Sequence, residues 1–214
     1  MKPPVYYNII YHYEKCLKKY GPNHRGMDWP NRKDLDKRFE IMMEVVLPNS
    51  RKPVSILDLG CGVGLLVDYL KHKGILSNFD YWGIDLSKKM INKAKKIHPD
   101  QKFDVRDILK KPISPESIDY IIMNGLLTEK VTLKQKQMEE FAKKIIKAAF
   151  LICKVGIAFN VMSTHVDWKR KDLFHWSLDK VVSFLIKECS RNIIIRMDYG
   201  LFEYTVYVYK KVCK

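Results

Sequence analysis

Apolar and polar positions along this 214-residue chain follow two periods in turn. Residues 5–20 repeat at helical spacing, with Ile9, Tyr13, Cys16, Leu17 and Tyr20 on one side, and Gly21-Pro22 stops the pattern. "NHRGMDWPN" is a loop by composition. Helical spacing returns after Pro30 and Asn31 in Leu35, Phe39, Met42, Met43 and Val46, and ends at Pro48. Strand-like and helical runs then alternate. Val54–Leu59 reads as a strand followed by a helix over about 64–72, and Asp80–Ile84 as a strand followed by a lysine-rich helix with Met90, Ile91, Ala94 and Ile97 inward. A short strand lies near Lys102–Val105. Ile118–Met123 leads into a helix over about 132–150, and Val155–Val161 into one over about 177–189 that turns Leu178, Val181, Val182, Leu185 and Ile186 inward. Strands Asn192–Met197 and Phe202–Tyr209 close the chain, joined at Tyr199-Gly200.

Strand–helix alternation implies parallel pairing with right-handed crossovers. The last two strands have no room for a crossover helix and must pair antiparallel. The expected fold is therefore α/β: a three-layer, Rossmann-like sandwich around a mostly parallel seven-stranded sheet. Strands 6 and 7 form its C-terminal antiparallel hairpin, and two N-terminal helices form a cap. Residues 1–50 are read as that cap or lid and residues 51–214 as a single globular unit.

Composition narrows the class. The chain is 47% apolar and 29% charged, which suits one domain with a full core. Its net charge of +15 raises the question of a nucleic-acid partner, but most lysines lie on the outer faces of amphipathic helices, so a solvated basic surface is the simpler reading. No apolar run approaches the ~20 residues of a membrane span, and "MKPPVYYNII" does not read as a signal peptide. The five cysteines are scattered and never form a CxxC pair, which favours reduced thiols, a cytoplasmic location and no metal site.

The strongest local signal is "SILDLGCGVGLLVDYL" at residues 55–70. A strand ends in an acid, Asp58; Gly60, Gly62 and Gly64 follow at every second position, with Cys61 between the first two, and a helix begins at once. Glycines at a strand–helix turn let a ligand lie against bare backbone, and the helix N-terminus offers free N–H groups. The GxGxG spacing departs from the GxGxxG of nicotinamide-dependent enzymes. A carboxylate at Asp58 would repel a pyrophosphate and attract a cation.

"ILDLGCGVGLL" resembles the first motif of class I S-adenosylmethionine-dependent methyltransferases, and the remaining motifs follow in order over roughly residues 54–209. The resemblance implies S-adenosylmethionine as cofactor and S-adenosylhomocysteine as product. "YWGIDLS" then places Asp85 on the donor's ribose hydroxyls, with Leu86 beside it; a carboxylate can accept both hydroxyls at once. "KFDVRDIL" places Asp107 at the adenine amino group and Ile108 against the ring. "SIDYIIMNG" ends in Asn124 beside the methionine end. Taken singly, the glycines would serve a tight turn, Asp85 a helix cap and Asp107 a turn; together at three successive strand ends they point to one ligand. "RGMDWP…KRFE" and the C-terminal "RNIIIRMDYGLFEYTVYVYK" are further similar to a subgroup associated with bacterial surface-polysaccharide, including capsule, and other glycan pathways. There the N-terminal segment resembles a lid, with Trp29 over the donor and Arg38 on its carboxylate.

Transfer to an alcohol needs alignment, exclusion of water and a base. Three loop residues are candidates: His165 after strand 5, His175 in "DLFHW", and Glu129 after strand 4. Asn124-Gly125-Leu126-Leu127 lacks the proline and aromatic of a DPPY-like motif, which argues against chemistry on a base amine. The expected acceptor is a small polar molecule, a hydroxyl of a sugar or of a nucleotide-linked or phosphorylated sugar, with Lys169, Arg170 and Lys171 available for its phosphates. An RNA or other small-molecule N- or O-methyltransferase, and a non-catalytic binding subunit of the same fold, are the alternatives.

Overall fold

The computed structural model describes residue 4, residues 6–50 and residues 52–212. Thirteen main elements follow in chain order: α1 (Tyr7–Tyr20), α2 (Arg32–Met43), β1 (Val54–Leu59), α3 (Leu65–His72), β2 (Phe79–Asp85), α4 (Lys88–Ile97), β3 (Lys102–Val105), β4 (Ile118–Met123), α5 (Gln135–Ile152), β5 (Cys153–Met162), α6 (Leu178–Glu188), β6 (Asn192–Arg196) and β7 (Glu203–Tyr209).

The sheet runs in the order β3-β2-β1-β4-β5-β7-β6. Neighbours from β3 to β5 pair in parallel, while β7 pairs antiparallel with both β5 and β6. The expected three-layer sandwich and terminal hairpin are thus the observed architecture. The chain steps outward from β1 to β2 and β3, then returns to β4 on the other side of β1. The crevice at the carboxyl ends of the strands opens at that reversal.

Strand periodicity divides the core. Leu57, Ile121, Met123, Ile157, Phe159, Val206 and Val208 face α5 and α6. Ile56, Tyr120, Ile122, Ala158, Tyr207 and Tyr209 face α2, α3 and α4. Both faces are covered, which explains why the central strands read as continuous apolar runs.

The N-terminal segment is not uniform. Asn31 caps α2, its side chain accepting from the backbone N–H groups of Lys33 and Asp34. Leu35, Phe39, Ile41 and Met42 of that helix are buried in the core cluster that holds α3 and α4. Helix α1 buries no residue completely. It lies across the carboxyl ends of the strands, tied down by Tyr6, which stacks on Phe141 with ring centroids 4.7 Å apart, and by Glu14, which accepts from Ser87 Oγ at 2.7 Å and pairs with Lys89 at 2.6 Å. Of the two N-terminal helices, α1 therefore lies over the strand ends and α2 is part of the core. Three residues expected to face inward do not: Tyr20 is exposed at the end of α1, Ile97 at the last turn of α4, and Ile186 on α6. Of the residues expected in the first helix, Val5 lies outside the described set. Among the described residues no helix is long and apolar enough to cross a membrane.

Candidate active site

The loop from β1 to α3 turns sharply at Gly60, Gly62 and Gly64, all with positive φ. Strand β2 supports it: Ile84 C=O accepts from Gly60 N–H at 2.8 Å and Cys61 N–H at 3.0 Å, and Asp85 Oδ2 accepts from Gly62 N–H at 3.0 Å. Gly62 has no alternative. Its φ is +55°, and a Cβ there would come within 2.6 Å of Met27 Sδ, so the thioether of the 25–29 segment lies against the bare peptide.

One cavity opens above this loop. Asp58, Gly60, Cys61, Gly62, Asp85, Leu86, Asp107, Ile108, Asn124 and Trp29 are all on its wall. Gly64 and Arg38 are not. The side opposite the sheet is closed by residues the sequence did not assign to the site: Tyr6 just before α1, Ile9 and Tyr13 on it, Met27 before α2, and Phe141 and Ile145 of α5.

Burial sets the electrostatics. Asp58 is fully enclosed, and desolvation pushes its carboxyl up to about 7 despite a 2.7 Å hydrogen bond from Tyr81 Oη; the neighbouring Asp85 adds to the rise. Asp85 is raised by burial too, although Ser87, Gly62 and Leu86 donate backbone N–H groups that favour its charged form. Two buried acids a short way apart, with no cationic side chain between them, make a cavity that rewards a positively charged occupant. Asn124 Oδ1 is buried with no hydrogen-bond partner, an acceptor left for a ligand.

Asp107 is already engaged. Its Oδ1 accepts from Leu109 N–H at 3.0 Å, and its Oδ2 accepts from Tyr6 Oη at 2.9 Å and Tyr7 Oη at 3.4 Å. Burial and Asp107 both raise the Tyr6 hydroxyl's pKa, so Tyr6 acts as donor. An adenine amino group would compete with Tyr6 and Tyr7 for Asp107 Oδ2. Tyr6→Phe is therefore expected to tighten binding of S-adenosylmethionine or S-adenosylhomocysteine, by about 2- to 10-fold for one hydrogen bond released; a titration showing no change or weaker binding would remove Asp107 from the adenine site.

Arg38 departs from expectation. Its guanidinium pairs with Glu203 at 2.8 Å, and its Cζ lies 4.4 Å from the Trp29 ring centroid. Glu203 is buried and also accepts from Asn160 Nδ2 at 2.8 Å, while Asn160 Oδ1 accepts from Gly125 N–H at 2.8 Å. Gly125 has φ +77°, and a Cβ on it would come within 2.5 Å of Trp29. The chain Gly125–Asn160–Glu203–Arg38 thus fixes Trp29 against the end of β4. The signal for Asn160 and Glu203 was available as polar residues inside otherwise apolar strands. What they bind was not.

The three base candidates lie apart, and none lines the cavity. His165 is exposed on the loop after β5; among the described residues its one hydrogen bond is from its backbone N–H to Ser163 Oγ at 3.0 Å. His175 sits in a separate shallow hollow with Lys130, Lys169, Arg170 and Lys171, its Nδ1 2.6 Å from Ser163 C=O. Glu129 is nearly buried, 3.3 Å from His12 Nε2. Burial and then Asp28 push its carboxyl up to about 8.

Comparison with known proteins agrees with this geometry. Residues 50–181 match a family described as a methyltransferase domain. A Mycobacterium tuberculosis protein provisionally named as the methyltransferase Rv1506c is 31% identical over 169 residues, 76% of this chain and 96% of the relative. Among solved structures, magnesium protoporphyrin IX methyltransferase from Synechocystis superposes with a TM-score of 0.63 at 13% identity, covering 97% of this chain and 95% of that one. A methyltransferase from Aquifex aeolicus gives 0.56 at 18% identity, covering 84% and 93%. The chain belongs to this methyltransferase-domain family.

Proposed function

We propose that the protein transfers the methyl group of S-adenosylmethionine to a hydroxyl of a phosphorylated or nucleotide-linked sugar, in surface-polysaccharide or related glycan synthesis. The observation that carries the donor half is convergence: Asp58, Asp85, Asp107 and the unpartnered Asn124 Oδ1 open onto one cavity above a glycine turn. When bound, the donor supplies a methyl group on a cationic sulfur. Asp58 would hold its ammonium group, Asp85 the ribose hydroxyls, Asp107 and Ile108 the adenine, and Asn124 the methionine end. A carboxylate has lone pairs for about four partners, so Asp85, which accepts from Gly62, Ser87 and Leu86, would give up one of these backbone bonds to take both ribose hydroxyls. Trp29, Tyr13 and Met27 would keep water from the reacting end.

The hollow of Lys130, Lys169, Arg170 and Lys171 supports a phosphate-bearing acceptor. Among its cations, Arg170 already bonds Asp172 Oδ1 at 3.1 Å and Lys130 Nζ donates to Lys171 C=O, leaving Lys169 and Lys171 for the ligand. A cytoplasmic setting suits the thiols of Cys16, Cys61, Cys153 and Cys189, which are free. Incubating the protein and methyl-labelled donor with nucleotide sugars, sugar phosphates, small amines and RNA tests the acceptor class. Label in a sugar is expected; label in RNA or amines alone would overturn it.

His165 is proposed as the base because its imidazole makes no hydrogen bond among the described residues and its loop leaves β5 beside the crevice. His165→Ala is expected to slow turnover by about 100-fold or more, with donor affinity within about twofold of the parent. Turnover at the parent rate would eliminate it.

A further inference from the structure

Four side chains that the donor cavity does not use meet where α1 crosses the body. His12 and Cys16 stand one helical turn apart on one face of α1. Asp28 follows the 25–27 turn with φ +58°, and Glu129 is held in the loop after β4 by a bridge to Leu173. His12 Nε2 lies 2.6 Å from Asp28 Oδ2, 3.3 Å from Glu129 Oε2 and 3.9 Å from Cys16 Sγ. The donor atoms of His12, Cys16 and Asp28 all lie within 4.8 Å of one another.

We propose that His12, Cys16, Asp28 and Glu129 form a binding site for a zinc-class divalent transition metal, which clasps α1 to the body of the protein. The donor set is one imidazole nitrogen, one thiolate and two carboxylate oxygens. Softness of this mixture selects Zn²⁺, Co²⁺ or Fe²⁺ over Mg²⁺ and Ca²⁺, which take oxygen ligands. Tetrahedral zinc with bonds of about 2.0–2.3 Å separates its ligand atoms by about 3.3–3.7 Å. The His12–Glu129 spacing already matches, and the His12–Cys16 spacing is slightly wide. Asp28 has to retreat by about 0.7 Å from its hydrogen bond with the imidazole, and Glu129, which lies outside the compact group of the other three, has to swing toward Cys16 and Asp28 to complete the tetrahedron.

Charge balance points the same way. Asp28 and Glu129 both lie against His12 Nε2, at 2.6 Å and 3.3 Å, so two carboxylates crowd one imidazole. The charged groups around them are His12, Asp172 and Arg170; Arg170 bonds Asp172 rather than either carboxylate. A divalent ion would neutralise the pair. The three segments that supply the ligands are far apart in sequence, and CxxC spacing gave no hint of them. The one sequence trace is the i, i+4 placement of His12 and Cys16. Because α1 carries Tyr13, with Tyr6 at its start, over the cavity, metal binding would fix the lid without touching the donor.

Titration of the metal-stripped full chain with Co²⁺ tests this. Expected is one ion per chain, with thiolate-to-cobalt charge-transfer absorption in the near ultraviolet and visible bands of tetrahedral intensity. Zn²⁺ should displace the cobalt and raise the thermal midpoint. Cys16→Ser should abolish the charge-transfer band and His12→Ala should weaken Zn²⁺ binding at least tenfold, both variants keeping the parent far-ultraviolet circular dichroism. No saturable one-to-one binding, a charge-transfer band that persists in Cys16→Ser, or equal Zn²⁺ affinity in His12→Ala would overturn the site. S-adenosylhomocysteine titrated into the same samples reports on the donor cavity separately, so a failed metal site leaves the methyltransferase reading standing, and the reverse.

Discussion

Asp58→Asn is expected to stabilise the ligand-free protein at pH 8 by up to about 4 kcal/mol while weakening S-adenosylmethionine binding about 10- to 100-fold. The stability half follows from burial. An unfolded aspartate titrates at 3.8, and the enclosed Asp58 at about 7. Between those pH values the folded chain holds a proton the unfolded chain has lost, so stability falls as pH rises through that window. Above it the folded protein carries a desolvated charge held by a single hydrogen bond from Tyr81. An amide at this position can still accept that hydrogen bond and carries no charge. The binding half follows from loss of the ammonium partner. Denaturant melts at pH 4 and pH 8 separate the contributions: the variant's advantage should be near zero at the lower pH and full at the higher. Equal advantage at both would show that Asp58 is not strained, and donor affinity equal to the parent's would show that it is not used.

Asp85→Ala should cost donor affinity about 100-fold or more, the larger binding loss of the two. Two effects combine. The ribose loses a charged acceptor, and Gly62 N–H and Ser87 N–H lose the carboxylate that holds the glycine turn and the start of α4 in place. Asp85→Asn tells these apart, since one carbonyl oxygen can keep one backbone partner but cannot take two hydroxyls and two N–H groups together. An intermediate loss in the amide variant is expected. Parent-like binding in Asp85→Ala would remove the ribose assignment.

Much of the scaffold was legible in the residue pattern. β1 and β4 fall where the apolar runs placed them, because strands buried on both faces leave a strongly apolar signature; the edge strand β3 also falls at the expected residues, although only Phe103 of it is buried. The edges blurred where chemistry was ambiguous. β5 extends to Cys153 and Met162, beyond the expected Val155–Val161, because its ends gain partners in β4 and β7 that no local pattern reveals. The glycine turn and its acids converge as expected, since each sits at a strand end and the sheet order brings those ends together. The lid did not reveal itself in the same way. Tyr6 on Asp107, Met27 on Gly62 and Arg38 on Glu203 are contacts between segments tens of residues apart or more, and their partners become visible only once the chain has folded.

The internal ion pair between Arg38 and Glu203 constrains how this protein can be recombined with its relatives. A hairpin transplanted from another chain would bring its own residue at the position of Glu203. Unless position 38 travelled with it, one half of the pair would be left enclosed without a counter-ion, at a cost of about 3–5 kcal/mol. Gene-shuffling crossovers anywhere between residues 38 and 203 should survive selection only when both parents already agree at these two positions.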